Sequence, residues 1–245
     1  MNTNCDVLQQ LAGYNIIYLE KCDSTNSTLM EGMESFPDKT LVYTQNQIKG
    51  RGRLSRQWDN PGYSGLALSV LYKGIDAALP ISLIFGLAAS RAITAHGCPC
   101  TVKWPNDVLC GNKKLAGILC ETKYSATVNA VLGIGINLTQ PREYFDGQSL
   151  PNAGSILSQS GISPNPAEII CAIIMELEAL YFDYNERRFM QEYISNCITI
   201  GKEITADNRT GIATGISPSG ALIARSNTGS EFTITSGEVS IQNIY

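Results

Sequence analysis

The chain changes character near residue 198, and no other feature constrains its fold as much. Before that point, helical patterns and strand-like patterns alternate over long stretches. Beyond it, five short β-prone runs are separated by Asn, Gly, Ser and Pro, a pattern typical of small β-barrels. The runs cover residues 203–206, 211–216, 221–225, 231–235 and 239–241. We therefore predict an α+β domain over residues 1–198, followed by a small β-barrel domain over residues 199–245.

Helices and strands interleave in the first of these domains. Pro80 begins a mostly apolar helix that Gly97 ends. Pro166 introduces a long amphipathic helix whose apolar stripe indicates core packing. Strand-like segments cover residues 40–44, 66–72, 101–104, 114–121 and 128–138. This combination indicates the α+β class.

Charge and composition exclude several classes of function. The chain has 18 Lys and Arg against 22 Asp and Glu, and its net charge of −4 does not favour nucleic-acid binding. Its longest apolar stretch, residues 79–93, is interrupted by polar and charged side chains and is too short to span a bilayer. No secretory signal is visible at the N-terminus. We therefore expect a cytoplasmic protein that binds neither nucleic acid nor membrane.

Cysteine and histidine usage narrows the chemistry further. The eight cysteines are scattered without a CxxC motif, which fits reduced thiols. His96 is the only histidine. The sequence therefore disfavours a zinc site built from His and Cys, as well as Ser-His-Asp and Cys-His catalysis. We expect no metal ion held by protein side chains.

Residues 50–58 have the clearest chemical character in the chain. Three arginines alternate with two glycines and precede one of the two tryptophans. Glycine allows a loop to close tightly, and the planar guanidinium of arginine suits a carboxylate or a phosphate. We interpret this segment as a mobile cationic loop that closes over a small anion. The alternatives are an RNA-binding segment, which the negative net charge argues against, and a solvated surface loop.

A second segment, residues 103–107, combines a cation, an aromatic ring and two polar side chains around Pro105. Proline fixes the backbone and biases the preceding residue, Trp104, towards an extended conformation, so a strand should end here. Asn106 and Asp107 would then lie at a strand end, where site residues are common. The alternative is that these two residues only shape a turn.

Lys114 leads into an apolar strand that contains Gly117, a residue that allows close backbone approach. A lysine in this position reaches a ligand as a compact point charge, or else only extends to water. Gly133 and Gly135 alternate with isoleucines ahead of Asn137. One face of that strand therefore lacks side chains, and either a flat ligand ring or a neighbouring helix would cover it.

Ser24, Thr25 and Asn26 precede a short helical pattern. Their hydroxyl and amide groups either hydrogen-bond a neutral polar head group or cap the helix. Taken alone, these residues are explained by default as a helix cap.

The order of these motifs resembles the biotin protein ligase family. The chain presents Ser-Thr-Asn, Gly-Arg-Gly-Arg with a following Trp, Lys-Trp-Pro-Asn-Asp, Lys-Leu-Ala-Gly-Ile-Leu and Gly-Ile-Gly-Ile-Asn. The resemblance runs from Tyr18 to Leu138, and the C-terminal β-prone region agrees with it. It implies a mixed or antiparallel sheet packed with helices, similar to class II aminoacyl-tRNA synthetases, and an SH3-like C-terminal barrel. Leu54 and Ser55 stand where some members have arginine and glycine.

The resemblance implies an ATP-dependent ligase that converts biotin to biotinyl-5′-AMP and transfers it to a lysine of a carrier protein. Catalysis would rest on Lys114, Arg53 and Asp107. Biotin would be bound by Ser24, Thr25, Asn26, Gln47, Gly50, Arg51, Gly52, Arg53, Lys114 and Gly117. ATP would be bound by Arg51, Arg53, Arg56, Trp58, Lys103, Asn106, Lys114 and Asn137. Mg²⁺ would enter on the phosphates of ATP.

The implied partner is the biotin carboxyl carrier protein domain of biotin-dependent carboxylases, and two copies of the chain could pair through a sheet edge. Too few residues precede Ser24 for the winged helix-turn-helix domain that some bacterial members carry, so we expect no direct DNA binding. Two other functions fit the same motifs. One is a lipoate–protein ligase of the same fold, and the other is a non-catalytic sensor of biotin or nucleotide.

Overall fold

The computed structural model describes residues 3–58, 60, 62–124, 127–235, 237 and 239–241. The strands up to residue 137 are β1 (Asn15–Tyr18), β2 (Thr40–Thr44), β3 (Gly50–Arg51), β4 (Gln57–Trp58), β5 (Gly65–Ile75), β6 (Thr101–Lys103), β7 (Asp107–Cys110), β8 (Lys113–Tyr124) and β9 (Val128–Asn137). The helices are α1 (Thr3–Leu8), α2 (Thr25–Glu31), α3 (Ile81–Ala95), α4 (Arg142–Gly147), α5 (Ile156–Ser160), α6 (Pro166–Phe182) and α7 (Glu186–Ser195).

A seven-stranded mixed sheet in the order β1-β2-β5-β9-β8-β7-β6 forms the centre of the molecule. β1 runs parallel to β2, and the other neighbouring strands are antiparallel. β3 and β4 form a separate short hairpin, joined by a 3-10 turn over Arg53–Ser55. The cationic loop predicted from the sequence is this hairpin.

The two faces of the central strands carry different side chains: one face is apolar, and the other has mostly small residues. Residues 133 of β9, 69 of β5 and 119 of β8 lie opposite one another in the ladders, and successive residues alternate between faces. On one face, buried apolar residues join the main core with α3 and α6: Leu66, Leu68, Val70, Ala116, Ile118, Leu132, Ile134 and Ile136. The other face carries the small residues Ala67, Ser69, Gly117, Gly133 and Gly135, and α2 covers its far end.

The two predicted helices lie where the sequence places them. α3 follows Pro80 directly, and the chain turns at Gly97, whose φ of +85° suits glycine. The stripe on α6 is core, since Ile170 and Leu177 are fully buried. Several elements were not predicted, among them β7, which is only four residues long, and α7, whose buried residues are Phe189 and Tyr193.

The C-terminal strands form a second sheet. They are β10 (Glu203–Ala206), β11 (Arg209–Ile216), β12 (Leu222–Arg225), β13 (Glu231–Ile234) and β14 (Ser240–Ile241), in the antiparallel order β13-β12-β11-β10-β14. This confirms the α+β fold with a small C-terminal β unit. The Trp104 indole N–H joins the two parts by donating to the Gly220 carbonyl at 2.9 Å.

The division of the chain at residues 198 and 199 stays a prediction, and residues 242–245 lie outside the described part. No helix within the described residues has the length and apolar character needed to cross a membrane.

Candidate functional site

A cavity of about 290 Å³ opens over the small-residue face of the central sheet. The structure brings nearly all the predicted site residues to its wall: Ser24, Thr25, Asn26, Gln47, Arg51, Gly52, Arg53, Arg56, Trp58, Lys103, Asn106, Asp107, Lys114, Gly117 and Asn137. Gly50 is the exception: it belongs to β3 of the hairpin but does not line the cavity. A Cβ atom on Gly50 would come within 2.3 Å of the Trp58 carbonyl oxygen, so no larger residue fits there.

The Trp58 indole covers part of the bare face that the alternating glycines create. A Cβ atom on Gly135 would lie 2.4 Å from Trp58 Nε1, and one on Gly117 would lie 3.0 Å from its Cζ3. The flat ring expected against this strand is therefore the protein's own in this structure. The Trp58 indole N–H is buried and has no hydrogen-bond partner among the described residues. It is a donor available to a ligand.

One end of the cavity is neutral and polar. Ser24 caps α2 by accepting a hydrogen bond from the Ser27 N–H at 3.4 Å, and it also lines the cavity. The Thr25 N–H donates to Gln47 Oε1 at 2.9 Å. The first turn of α2 therefore caps the helix and also forms part of the cavity wall, while hydrogen bonding to a ligand head group stays a prediction.

A buried amide stands beside this end. Asn26 Nδ2 donates to the Leu119 carbonyl at 3.1 Å and to Glu121 Oε2 at 2.8 Å. Its Oδ1 lies 2.6 Å from Ser69 Oγ. A Cβ atom on Gly133 would lie 1.9 Å from Asn26 Oδ1, so this glycine makes room for the amide.

Sequence reasoning missed both Ser69 and Glu121. Glu121 also pairs with Arg51, at 3.1 Å between Oε2 and Nη2. A carboxylate that ends the apolar part of a strand was the available signal, but its two partners lie 95 and 70 residues away in the chain.

The opposite end of the cavity is cationic. Lys114 Nζ lies 2.6 Å from Asp107 Oδ1 and 5.6 Å from the centre of a Trp58 ring. Arg53 donates to Asn106 Oδ1 at 3.3 Å and to the Gly237 carbonyl at 3.1 Å. Lys103, at the end of β6, is buried in the same wall. The turn through residues 104–106 thus places the strand-end residues as the sequence predicts.

Asn137 lies at the cationic end, with its amide held by protein groups. Nδ2 donates to the Gly154 carbonyl at 2.9 Å, and Oδ1 accepts from Gln140 Nε2 at 3.2 Å. In the described part of the chain, no cluster of three or more His, Cys, Asp or Glu side chains could hold a metal ion.

The cavity is elongated along β9. Gly133 lies at the neutral end, Gly135 lies under Trp58, and Asn137 lies at the cationic end. Alternate residues of a strand are about 6.7 Å apart, so the two ends lie about 13 Å apart. Fold and site together define an α+β domain with an elongated cavity that is neutral and polar at one end and cationic at the other.

Comparison with known proteins identifies the family to which this α+β domain belongs. Residues 18–137 match the Biotin/lipoate A/B protein ligase family, and residues 199–241 match the Biotin protein ligase C terminal domain. The bifunctional ligase/repressor BirA of Escherichia coli K12 is 31% identical over 232 residues, which are 89% of this chain and 71% of that protein. The biotin–[acetyl-CoA-carboxylase] ligase of Mycobacterium tuberculosis is 31% identical over 216 residues, 81% of this chain and 79% of that protein.

A solved structure agrees with the sequence relatives. The biotin protein ligase from Aquifex aeolicus in complex with biotin and ATP superposes with a TM-score of 0.76 at 28% identity, covering 93% of this chain and 98% of that one. The chain belongs to the biotin protein ligase family.

Proposed function

We propose that the protein activates biotin with ATP as biotinyl-5′-AMP and transfers the biotinyl group to a lysine of a biotin carboxyl carrier protein domain. The observation that carries the proposal is the asymmetry of one cavity, which is neutral and hydrogen-bonding at one end and cationic at the other. Biotin has the same asymmetry, with a ureido ring at one end and a carboxylate at the other.

At the neutral end, Ser24, Thr25 and Gln47 would hydrogen-bond the ureido ring, with Asn26 behind them and Gly117 in the floor. The Trp58 indole and the backbone of Gly50 and Gly52 would enclose the ring system from the hairpin side. Since Trp58 lies on Gly135 and Gly117, ligand entry requires the hairpin to shift. That movement agrees with a loop that opens for substrate and then closes over it.

At the cationic end, the biotin carboxylate attacks the α-phosphorus of ATP, a P–O bond forms, and pyrophosphate leaves. Joining two anions requires positive charge where transition-state charge develops. Lys114 and Arg53 would supply that charge at the reacting groups, and Asp107 would hold Lys114 in place at 2.6 Å. Arg51, Arg56, Lys103, Asn106 and Asn137 would line the nucleotide.

Mg²⁺ fits this site only as a companion of ATP. Asp107 is the one carboxylate in the described cavity wall, and it is paired with Lys114. Phosphate oxygens would therefore supply the ligands of the ion, which when bound neutralises phosphate charge.

In the second step, the ε-amine of the carrier lysine attacks the carbonyl carbon of the mixed anhydride. A C–N bond forms, the C–O bond to phosphate breaks, and AMP leaves with the electron pair. Asp107 would orient the incoming amine or accept its proton, an assistance typically worth about 10²–10⁴-fold in rate. We propose a cytoplasmic location for this reaction. Pairing of two copies stays a prediction.

The test is biotin- and ATP-dependent labelling of a purified carrier domain by wild type and by Lys114→Ala. We expect labelling by wild type and a loss of about 10²–10³-fold in the variant, as for removal of one transition-state donor. Pyrophosphate release with lipoate instead of biotin would assign the protein to the lipoate branch. Tight biotin binding without labelling of any carrier would favour the sensor.

A further inference from the structure

Three cysteines lie together outside the cavity wall, where β6 and β7 meet α3. Antiparallel pairing joins Thr101 to Leu109, so the next residue outwards on each strand brings Cys100 opposite Cys110. The Cys98 sulfur accepts hydrogen bonds from the thiols of Cys100 and Cys110. All three are free cysteines, and we call them the thiol cluster.

The backbone restrains the members of the thiol cluster unequally. Cys98 and Cys100 each donate a backbone hydrogen bond to α3, at 3.3 Å and 2.9 Å. Cys110 instead ends β7 and precedes Gly111, whose φ of +56° belongs to the turn into β8. Cys110 is therefore the member that can move most easily towards the others.

Contacts within the cluster also distribute its protons unequally. Hydrogen bonds from Cys100 and Cys110 lower the pKa of Cys98, with the larger effect from Cys100, although burial opposes them. Burial raises the pKa of Cys110, and the hydrogen bond to Cys98 raises it further. Cys98 is therefore the thiolate of the cluster, and the thiolate is the form of cysteine that reacts as a nucleophile.

Burial and chain connectivity favour one pair of thiols. Cys98 is fully buried and Cys100 nearly so, whereas Cys110 is partly exposed. A small oxidant therefore meets the cluster at Cys110. Pro99 stands between Cys98 and Cys100, and its fixed φ leaves little freedom to close a disulfide across it. Cys98 and Cys110 are thus the pair best placed to join.

We propose that Cys98 and Cys110 form a reversible disulfide when a peroxide reaches them, and that this disulfide slows biotin activation by displacing Lys114. The modification site goes beyond the proposed function, whereas the effect on activity rests on it. The connection is short, because Cys110 lies opposite Lys113 in the β7–β8 ladder and Leu109 lies opposite Lys114.

The chemistry balances with hydrogen peroxide as the oxidant. The Cys98 thiolate attacks one peroxide oxygen, an S–O bond forms, the O–O bond breaks and hydroxide leaves. The Cys110 sulfur then attacks the Cys98 sulfur, an S–S bond forms and the S–O bond breaks. The departing hydroxide takes the Cys110 proton. The two sulfurs are oxidised to a disulfide, and the peroxide is reduced to water.

Closure of the disulfide should reach the cationic end of the cavity. A covalent bond brings two sulfurs closer together than a hydrogen bond does, so the end of β7 must move towards α3. β7 carries Cys110 at one end and Asp107 at the other. Asp107 Oδ1 lies 2.6 Å from Lys114 Nζ, and the turn after Cys110 leads directly to Lys114. Both members of this ion pair therefore lie on the segment that moves.

The test treats the full chain with hydrogen peroxide and follows two readouts. Alkylation with mass-spectrometric mapping should find a Cys98–Cys110 disulfide that dithiothreitol removes. Pyrophosphate release with biotin and ATP should fall about 10-fold on oxidation and return on reduction, because small misplacements at a site have effects of this size or larger. Thiols that stay open to alkylation, or a mapped disulfide with unchanged activity, would overturn the inference.

Cys110→Ser removes the partly exposed sulfur and keeps a side chain of similar size. We expect this variant to retain its basal activity, to form no disulfide at Cys98 and to keep its activity in peroxide. Loss of activity in peroxide equal to that of wild type would overturn the inference, because oxidation would then act elsewhere. Protection by Cys100→Ser instead of Cys110→Ser would overturn the choice of pair.

Cys120→Ser is the matched control. Cys120 is also partly exposed, but its thiol hydrogen-bonds with Ser82 and lies outside the thiol cluster. We expect this variant to form the disulfide and to lose activity as wild type does. Wild type that releases no pyrophosphate before oxidation would overturn the proposed function, whereas the mapped disulfide tests the modification site by itself, so the two failures are distinct.

Discussion

The two faces of the central sheet have different roles, although the same strands form both: one face packs in the core and the other lines the cavity. Towards α3 and α6, alternate residues of β5, β8 and β9 are large and apolar, and they belong to one continuous core. Towards the cavity, many of the residues between them are glycine, alanine or serine, and Trp58 and Asn26 fill the space above Gly117, Gly133 and Gly135. The comparison shows that one strand such as β9 encodes stability and binding in alternate positions.

Each face also contains a carboxylate in a polar network. On the core side, Glu178 accepts from Tyr14 and, at 3.1 Å, from Tyr72, and Lys39 lies 3.1 Å away. This network is partly exposed to solvent, and none of these side chains lines the cavity, so we assign it to the fold. On the cavity side, the network of Glu121 continues through Thr25 to Gln47, and both of these residues line the cavity. Polar groups that line a cavity can form further hydrogen bonds with a ligand.

The largest expected effect of a substitution is the loss of activity in Gly135→Val, on the cavity face. Valine favours strands, so the sheet should tolerate it. Its side chain would occupy the position of the Trp58 indole, which lies 2.4 Å from the site of a Cβ atom. We expect biotin adenylation, followed as pyrophosphate release, to fall by at least about 10²-fold, because small misplacements at a site cost that much. Activity within a few-fold of wild type in a folded variant would contradict the role assigned to the glycine floor.

Leu68→Ala tests the other face of the same sheet. Leu68 is fully buried in the core and lies opposite Ile134 in the ladder. We expect the free energy of unfolding in urea to fall by about 2–5 kcal/mol, as for other large-to-small core changes. The KM for biotin should not change, because the side chain points away from the cavity. A raised KM would show that the two faces are coupled.

The sequence allowed this division of faces to be anticipated only in part. The alternation of Gly133 and Gly135 with isoleucines correctly indicated a bare face, since side chains in a strand alternate strictly. That Trp58 fills this face depends on a hairpin more than 70 residues away in the chain. Pairing of this kind is a property of the tertiary fold and leaves no local pattern.

The elements and residues that the sequence did not predict have the same physical origin. β7 has four residues and follows a turn, so it carries too few alternations to be distinguished from a connection. Glu121 lies two residues beyond the Lys-Leu-Ala-Gly-Ile-Leu motif, and its contacts with Asn26 and Arg51 depend on the tertiary fold. The motifs located the cavity wall well because each wall segment is short and contiguous. The hydrogen bonds between wall segments could not be predicted.

The tyrosine network on the core face should make stability depend on pH. Burial raises the pKa of Tyr72, and contact with Tyr14 and Glu178 raises it further. The folded state therefore requires the neutral phenol, while the unfolded chain ionises near pH 10. Stability should be complete below pH 10 and fall above it, and Tyr72→Phe should reduce the slope by up to about 1.4 kcal/mol per pH unit. Urea unfolding at pH 8 and at pH 10.5 measures this, and an unchanged slope would contradict it.

The smallest effect is expected in the hairpin that covers the cavity face. Leu54 has a φ of +54°, in the left-handed region, and its side chain is 67% exposed. A leucine in this conformation costs about 1–2 kcal/mol, and asparagine tolerates it better. Leu54→Asn should therefore stabilise the observed hairpin by about 1 kcal/mol and slow tryptic cleavage at its arginines by about fivefold.

Leu54→Ala is the control for that measurement. Alanine removes the same exposed side chain but retains the unfavourable φ, so the cleavage rate should stay close to that of wild type. Equal slowing in both variants would mean that the exposed side chain, and not the backbone, sets the opening rate. Faster cleavage of the asparagine variant would mean that the left-handed turn is not part of the closed hairpin. On the core side, Lys39 also has a positive φ, of +56°, but it lies with Glu178 away from the cavity, so a change there should not affect access to the site. The cover of the cavity is therefore the part of the molecule where a local backbone preference alone should change access to the site.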